Sequence, residues 1–161
     1  MDPERLFSGD PRLADVLALI QSVFAEHDGR VDPPSSMHRI TLADLETAAQ
    51  VSEVWVAGTP PIACVILSVK GYALYLSKLA VKPSSRGTGL ARRLVMLAEA
   101  RAHALGLHAL ELQTRTEWTE NHATFRKLGF EKIAETAHPG FDRPTSITMR
   151  KGLTRSPNAH G

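Results

Sequence analysis

The sequence predicts an α/β fold in which a mixed, mostly antiparallel central sheet is flanked by helices. Residues 53–81 hold three β-rich runs separated by turn residues, and helical and strand patterns then alternate up to a closing pair of strands. A meander followed by a strand–helix–strand unit requires a mixed sheet with helices packed on it. The length of 161 residues fits one domain. We assign residues 1–151 to that domain and expect residues 152–161 to form a disordered tail.

The N-terminal third is predicted to contain two helices. "DPRLADVLALIQSVFAEHDG" carries an apolar stripe at helical spacing, with Asp10 as the cap and Gly29 at the end. The stripe consists of Leu13, Val16, Leu17, Ile20 and Phe24. The two prolines of "RVDPPSS" exclude regular structure there, and a short helix is predicted after Thr41. A strand around Leu6 and Phe7 has only a poor signal.

The remaining elements follow from changes in hydrophobic period and from turn residues. "EVWVAG", "IACVILSV" and "YALYLSKLAV" are predicted strands, and "GTPP" is the first turn between them. A long helix, "TGLARRLVMLAEARAHALG", is closed by Gly106 and has along one side Leu90, Leu94, Leu97 and Leu105. "ALELQTR" is a strand, and "ENHATFRKLGF" is a short helix stopped by Gly129. The closing strands are "FEKIAETA" and "TSITMRK", around the turn-rich "HPGFDRP".

The composition is that of an ordinary soluble globular protein, with 43% hydrophobic and 22% charged residues. No apolar run approaches the ~20 residues that cross a bilayer, and the polar N-terminus does not resemble a signal peptide. Cys64 is the only cysteine, which excludes an intramolecular disulfide and a cysteine-based metal cage. We therefore predict a cytoplasmic protein without a membrane partner or a metal. Because Cys64 lies in the middle of a strand, we interpret it as a core residue.

The net charge of +2 hides an asymmetry. Residues 1–60 hold ten Asp and Glu against four Arg, and residues 61–161 hold fifteen Lys and Arg against seven Asp and Glu. Either these are two solvated faces, or the basic part binds an anion and the acidic part receives a cation. No basic run is interleaved with aromatic residues, so nucleic acid is not the favoured partner.

The segment "VKPSSRGTGLARRL" places a glycine turn where a strand is followed by a helix. Backbone N–H groups at a helix start lack internal partners, and the helix dipole is positive there. Small side chains at Gly87, Gly89 and Ala91 would let an anion approach these groups, and Arg86 could add a charge-assisted contact. Alternatively, the glycines only make the turn. A P-loop is excluded because Leu90 follows Gly89, and the dinucleotide fingerprint lacks its third glycine.

These residues resemble the GCN5-related N-acetyltransferase (GNAT) family. Its pyrophosphate signature is Gln or Arg, two residues, Gly, one residue, then Gly or Ala. Position by position it matches Arg86, Gly87, Thr88, Gly89, Leu90 and Ala91. As in the family, a strand ending in "LAV" precedes the turn, a long helix and a strand follow it, and "FRKLGF" resembles the family's "YxKLGF". The resemblance covers roughly residues 50–151.

The resemblance implies a GNAT-like fold with splayed central strands and transfer of an acetyl group from acetyl-CoA to an amine. The backbone of Leu79, Ala80 and Val81 would pair with the pantetheine arm, and the N–H groups of residues 87–91 would hold the pyrophosphate. The cofactor would occupy a gap between "LSKLAV" and "LELQT". An N–H near Leu79 or Ala80 would polarise the thioester, and the amine would attack directly, without an acyl-enzyme.

The chain departs from the family pattern in the short helix near the end. Many members have a Tyr that protonates the leaving thiolate where this chain has Phe125. Trp118 and Asn121 also stand where other residues are frequent in the family. We expect Asn121 and Phe125 to contact the cofactor, with the acid role vacant or taken elsewhere.

Four other residues are candidates for the active site, each with a structural alternative. Tyr75 precedes the turn on the same strand, near where some members carry a glutamate base, and it could equally pack in the core. His122 begins the short helix and suits base catalysis, or it is a surface histidine. Glu111 alternates with two leucines and is predicted on the opposite face as a solvated or salt-bridged carboxylate. His138 lies in a loop predicted to overhang the acceptor.

The acceptor itself is predicted only as a small-molecule or peptide amine. The resemblance suggests that the first two helices wall its site, where Glu26, Asp28 and Asp32 could attract an ammonium group, although a stiff surface connection explains this segment equally well. The rival hypothesis is a non-catalytic acyl-CoA-binding or sensing module, which Phe125 favours. A nucleic-acid-binding domain would instead show steep salt dependence. The closing strand pair could build a homodimer.

Overall fold

A computed structural model describes residues 2–26 and 39–153. Seven strands form one sheet in the order β1-β2-β3-β4-β5-β7-β6. The strands are β1 (Glu4–Leu6), β2 (Glu53–Ala57), β3 (Ala63–Lys70), β4 (Ala73–Val81), β5 (Ala109–Arg115), β6 (Glu131–Thr136) and β7 (Ser146–Gly152). The helices are α1 (Leu13–Ala25), α2 (Leu42–Val51), α3 (Leu90–Ala104) and α4 (Thr119–Lys127). The predicted mixed, mostly antiparallel sheet with helices is confirmed.

The fold divides into two compact units. The first unit comprises Met1–Ser68 and Leu76–Leu94, and the second comprises Val69–Tyr75 and Val95–Gly161. No helix among the described residues has both the length and the apolar character needed to span a membrane.

The first unit has an apolar core between α1, α2 and the strands. β1 pairs antiparallel with β2, and β2 pairs antiparallel with β3. The fully buried side chains of this core include Leu6, Leu13, Val16, Ile20, Leu45 and Val54. Of the predicted stripe on α1, Leu17 and Phe24 are only partly buried, and Leu19 and Val23 are buried in addition. The wider buried face anchors α1 to the sheet.

The first helix begins later than the sequence indicates. Asp10 was predicted as the cap, but α1 starts at Leu13 and its cap position is Arg12. The Asp10 carboxylate instead accepts hydrogen bonds from the Arg12 backbone, at 2.9 Å, and guanidinium, at 3.1 Å and 2.8 Å. Because of this local contact, the residues that were expected to begin the helix form a turn instead. The predicted end at Gly29 and the loop "RVDPPSS" lie outside the described residues.

The second predicted helix is correct, and the structure explains its start. The Thr41 hydroxyl accepts from the Asp44 backbone N–H at 3.2 Å, and the Asp44 carboxylate accepts from the Thr41 backbone N–H at 2.8 Å. This reciprocal capping box satisfies two donors at the start of α2. The weakly indicated first strand also exists, as the edge strand β1.

The second unit contains the other sheet edge. β5 pairs antiparallel with β7, and β7 pairs antiparallel with β6, whose ladder shifts register between Lys132 and Ala134. Every residue of β6 is exposed. α4 ends as predicted before Gly129, which has a φ of +99°. Gly152, assigned to the tail, is the last residue of β7.

The buried side of α3 differs in part from the predicted one. Leu90 and Leu94 are buried, but Leu105 is 42% exposed because the helix already ends at Ala104. The other buried side chains of the helix are Val95, Ala98 and Ala102. Alanines at helical spacing therefore bring this helix close to its neighbours, which a search for leucines misses.

Candidate functional site

The glycine turn, residues 86–91, connects β4 to α3 within the first unit. After β4 ends at Val81, a 3-10 turn, Pro83–Ser85, reverses the chain. The N–H groups of Ser85 and Arg86 donate within that turn, to Lys82 at 2.8 Å and to Pro83 at 3.3 Å. The Gly89 carbonyl accepts from the Arg93 N–H at 3.0 Å, which is the first hydrogen bond of α3.

The two glycines of this turn adopt a backbone conformation that side chains disfavour. Gly87 has a φ of +79° and Gly89 a φ of +83°. A Cβ atom at either position would meet no other heavy atom within 4 Å, so open space lies in front of both. Within the described part of the chain, the backbone N–H groups of residues 87–91 have no recorded acceptor. Donors at a helix start that lack an acceptor and lie beside open space fit an anion.

Two side chains of the turn are directed back to the protein. The Thr88 hydroxyl donates to the Ser85 carbonyl at 2.5 Å. The Arg86 guanidinium makes two hydrogen bonds, both of 3.1 Å, to the carboxylate of Glu26 just after α1, and a third to the Val81 carbonyl at 3.3 Å. Glu26, predicted to attract an ammonium, is thus paired with Arg86. Asp28 and Asp32 lie outside the described residues.

β4 is bent one residue before the segment proposed to hold the pantetheine. Lys78 has a φ of +53°, which is uncommon for a residue other than glycine. The buried Cys64 thiol donates to the Lys78 carbonyl at 3.4 Å, and the Ala80 backbone N–H is hydrogen-bonded to the same sulfur. Cys64 is therefore the core residue that the sequence predicts. Its sulfur forms hydrogen bonds with the backbone on both sides of Leu79. Leu79 and Val81 are half-buried, and Ala80 is buried.

Tyr75 belongs to the second unit, in a cluster around Glu111. Its ring centroid lies 4.9 Å from the Lys70 ammonium. Burial and the Glu111 charge raise the pKa of Tyr75, against a hydrogen bond from the Gln113 backbone N–H. The phenol therefore stays protonated at neutral pH, where it can donate a proton but cannot act as a base.

Glu111 is buried, and it is salt-bridged as predicted. Its carboxylate lies 3.0 Å from Arg150 and 3.2 Å from Lys70. Burial acts to raise the pKa of Glu111, but the hydrogen bonds from these two cations outweigh it, and the pKa is lowered. An ionised carboxylate held by two cations is a structural group rather than a base.

The residues predicted on α4 also lie in the second unit. The His122 Nε2 atom is 2.8 Å from the Arg115 carbonyl, so this nitrogen donates to the carbonyl and Nδ1 is the other ring nitrogen. The half-buried Phe125 packs edge-to-face on Phe130, with ring centroids 5.7 Å apart. Asn121 is half-buried, and Trp118 is buried.

His138 is fixed in its loop. Its backbone N–H donates to the Thr145 hydroxyl at 2.9 Å, and its Nδ1 atom is hydrogen-bonded to the same hydroxyl. Thr145 is completely buried. Among the described residues, no group of three or more His, Cys, Asp or Glu side chains is arranged to hold a metal ion.

The sequence analysis missed Lys78 and the pairing of Arg86 with Glu26. A lysine inside an apolar strand is the only signal for the bend at Lys78. Arg86 and Glu26 are far apart in the chain, so no local sequence pattern predicts their ion pair.

The chain belongs to the acetyltransferase (GNAT) family, which matches residues 17–130. It is accordingly an acetyl-CoA-dependent acetyltransferase. A relative from Azospirillum brasilense, named IAA acetyltransferase, is 28% identical over 157 residues and covers 94% of this chain and 99% of its own.

Solved structures show the same fold. The PaiA N-acetyltransferase from Thermoplasma acidophilum, in complex with coenzyme A, superposes with a TM-score of 0.76 at 15% identity, over 95% of this chain and 100% of its own. An acetyltransferase from Bacillus subtilis in complex with CoA gives a TM-score of 0.65 at 17% identity, over 95% and 99% of the two chains. Both of these solved structures contain coenzyme A.

Proposed function

We propose that this protein transfers the acetyl group of acetyl-CoA to a primary amine by direct attack in a ternary complex. The observation that carries the proposal is the run of N–H groups from residue 87 to residue 91 at the start of α3, which have no acceptor among the described residues and lie beside the open space at Gly87 and Gly89. Residues 17–130, which match the family, run through both units. We therefore treat residues 1–151 as one acetyltransferase domain, acting in the cytoplasm.

The glycine turn would hold the pyrophosphate through its backbone. Gly87, Thr88, Gly89, Leu90 and Ala91 each offer an N–H, and the helix dipole adds positive potential at the same place. Because Thr88 and Arg86 are bonded back to the protein, backbone donors rather than side chains supply the contact. This arrangement needs glycine at 87 and 89 for both conformation and space.

The backbone of β4 would hold the pantetheine arm and polarise the thioester. Two amides, of Leu79 and Ala80, are candidates for the oxyanion contact. The Ala80 N–H is already bonded to the Cys64 sulfur, so we assign the role to the Leu79 N–H. Leu79 follows the bend at Lys78, and Cys64 holds that bend.

The chemical step forms a bond between the amine nitrogen and the acetyl carbon and breaks the bond from that carbon to sulfur. The sulfur leaves with the electron pair as a thiolate, and the amine loses a proton. A thiolate whose conjugate acid has a pKa near ~8.5 leaves without much help at neutral pH, so Phe125 is compatible with turnover. His122 is our candidate base through Nδ1, and Tyr75 is the candidate proton donor.

Two measurements on the purified chain test the proposal. Calorimetry should detect binding of coenzyme A, and release of free thiol from acetyl-CoA should depend on an added amine. Mass spectrometry should find the acetyl group on the acceptor nitrogen and not on the protein. Failure to bind coenzyme A would refute the cofactor site. Binding without turnover on any amine would favour the non-catalytic acyl-CoA-binding module instead.

A further inference from the structure

A cavity of about 250 Å³ opens in the first unit between α2, β3 and β4. Its volume lies just below the range of ~300–1,000 Å³ typical for drug-sized ligands. A small metabolite fits such a space.

Most of the wall of this cavity is apolar. Leu45, Ala48 and Val51 come from α2, Ile66 comes from β3, and Ile40 precedes α2. A compact hydrocarbon group is therefore stabilised here by burial, at ~25 cal/mol for each Å² removed from water.

Hydroxyl groups from several elements and one lysine of β4 also line the cavity. Ser52 and Ser68 are hydrogen-bonded to each other at 2.9 Å between their hydroxyl oxygens, and Ser77 and Lys78 complete the polar side. Among the residues that the structure describes, no carboxylate forms an ion pair with the Lys78 ammonium. A cation beside hydroxyl donors is the usual arrangement for holding a carboxylate.

The same cavity is poorly suited to a polycation. Among the described residues that line the cavity, Asp44 alone has a carboxylate, and that group accepts the Thr41 backbone N–H at 2.8 Å in the capping box of α2. Spermidine-like amines need several acidic groups to replace the water around their charges. Here the unengaged charge on the wall is positive.

The position of the cavity connects it with the reaction. Ser77 and Lys78 directly precede Leu79, whose N–H we assign to the thioester oxygen. A molecule bound against Lys78 is therefore held one residue from the proposed point of acetyl transfer.

We propose that this cavity binds the acetyl acceptor, and that the acceptor is a free amino acid with an apolar side chain. Lys78 and the neighbouring hydroxyls hold its carboxylate, the apolar wall takes its side chain, and its amine is directed toward Leu79. This inference rests on the proposed acetyltransferase function and adds the class of substrate to it.

The experiment compares matched acceptors that differ only in the carboxylate. The pairs are leucine with isoamylamine and phenylalanine with phenethylamine, with spermidine as the polycation, all at saturating acetyl-CoA. We expect kcat/KM at least about tenfold higher for the amino acid of each pair, since hydrogen bonds between charged groups are the strong ones. Equal rates within the pairs, or preference for spermidine, would overturn the assignment.

Variants of Lys78 test whether its ammonium group causes the preference for acceptors that carry a carboxylate. Lys78→Met should lower kcat/KM for the amino acid of each pair more than for the plain amine, so that the ratio within the pair falls toward one, and Lys78→Arg should restore part of that ratio. Lys132→Met removes an exposed cation of β6 and serves as the control that keeps the preference. A Lys78→Met protein that loses the same factor on both members of a pair would contradict the proposal.

A binding measurement separates this inference from the proposed function. Titration of leucine into the protein saturated with coenzyme A should give heat for the wild type and none for Lys78→Met. If coenzyme A binds but no amino acid binds or is acetylated, the acceptor assignment fails while the cofactor site stands. If coenzyme A itself does not bind, the proposed function fails first.

Discussion

The thiol of Cys64 donates a hydrogen bond to the carbonyl oxygen of Lys78, with 3.4 Å between sulfur and oxygen. Lys78 is the one residue other than glycine recorded with a positive φ among the described residues. A buried side chain thus stabilises a backbone conformation that is costly for lysine, by ~1–2 kcal/mol per residue.

The Cys64 thiol should be chemically inert in the folded protein. Complete burial raises its pKa to about 12, so almost no thiolate exists at pH 8. Iodoacetamide at pH 8 should leave Cys64 unmodified by mass spectrometry and leave activity unchanged, whereas the same treatment in guanidinium should alkylate it fully. Rapid labelling of the native protein, or loss of activity that follows labelling, would contradict the assignment of Cys64 to the core.

Gly89→Glu should abolish coenzyme A binding. The substitution forces a side chain onto a φ of +83° and places a negative charge where the diphosphate is expected. Gly71→Glu is the matched control, since Gly71 also has a positive φ, of +62°, and open space around a new Cβ. Calorimetry should show binding by the control and none by Gly89→Glu. Equal affinity of the two variants would refute the site.

Truncation along α3 should follow the structure rather than the leucine pattern. Leu94 is fully buried, so Leu94→Ala should lower the free energy of unfolding by about 2–5 kcal/mol. Leu105 is 42% exposed, and Leu105→Ala should cost less than about 1 kcal/mol. Urea unfolding followed by circular dichroism measures both. Similar losses at the two positions would mean that the helix buries the side predicted from the sequence.

Glu111 should contribute stability that depends on pH. Its pKa is lowered in the folded state from the usual 4.5, so its contribution is present above pH 4.5 and is lost as the pH falls through the folded pKa. Glu111→Gln should lower the free energy of unfolding at pH 7 by about 1–2 kcal/mol, because Lys70 and Arg150 are partly solvated. Relative to the wild type, it should also flatten, by about the same amount, the decline of stability as the pH falls below 4.5.

The control for this pH dependence is Glu131→Gln, on the fully exposed β6. It should leave the stability curve superimposable on that of the wild type. If Glu111→Gln loses stability at low pH as steeply as the wild type does, the ion pairs of Glu111 do not contribute to the free energy of unfolding in solution.

Much of the fold could be predicted because local patterns agreed with the tertiary structure. The capping box of Thr41 and the closing glycines at 106 and 129 act within a few residues. The alternation predicted for β5 was wrong, since Glu111 is buried like Leu110 and Leu112. The predicted start of α1 was wrong because Asp10 forms hydrogen bonds with Arg12 instead of capping the helix. The exposure of Leu105 depends on where α3 ends, which the pattern does not specify.

The candidate site was predictable to a similar degree. The glycine turn carries its own signature, because a positive φ favours glycine at fixed positions. The bend at Lys78 was not predictable, since it depends on Cys64 in the neighbouring strand. The cavity also forms between elements that are separate in sequence, so no single segment could indicate its polar side.

The pairing of Arg86 with Glu26 has a consequence for how cofactor affinity is interpreted. In the free protein this guanidinium already has a carboxylate partner, so any contact it makes with phosphate oxygens would replace an existing ion pair. The contribution of Arg86 to cofactor affinity is then only the difference between two interaction free energies, that of the guanidinium with the phosphate and that of the guanidinium with Glu26. If the Glu26 carboxylate were neutralised, Arg86 would bind phosphate without giving up an ion pair. A substitution just after α1 would then raise the affinity for a ligand that residue 26 does not contact.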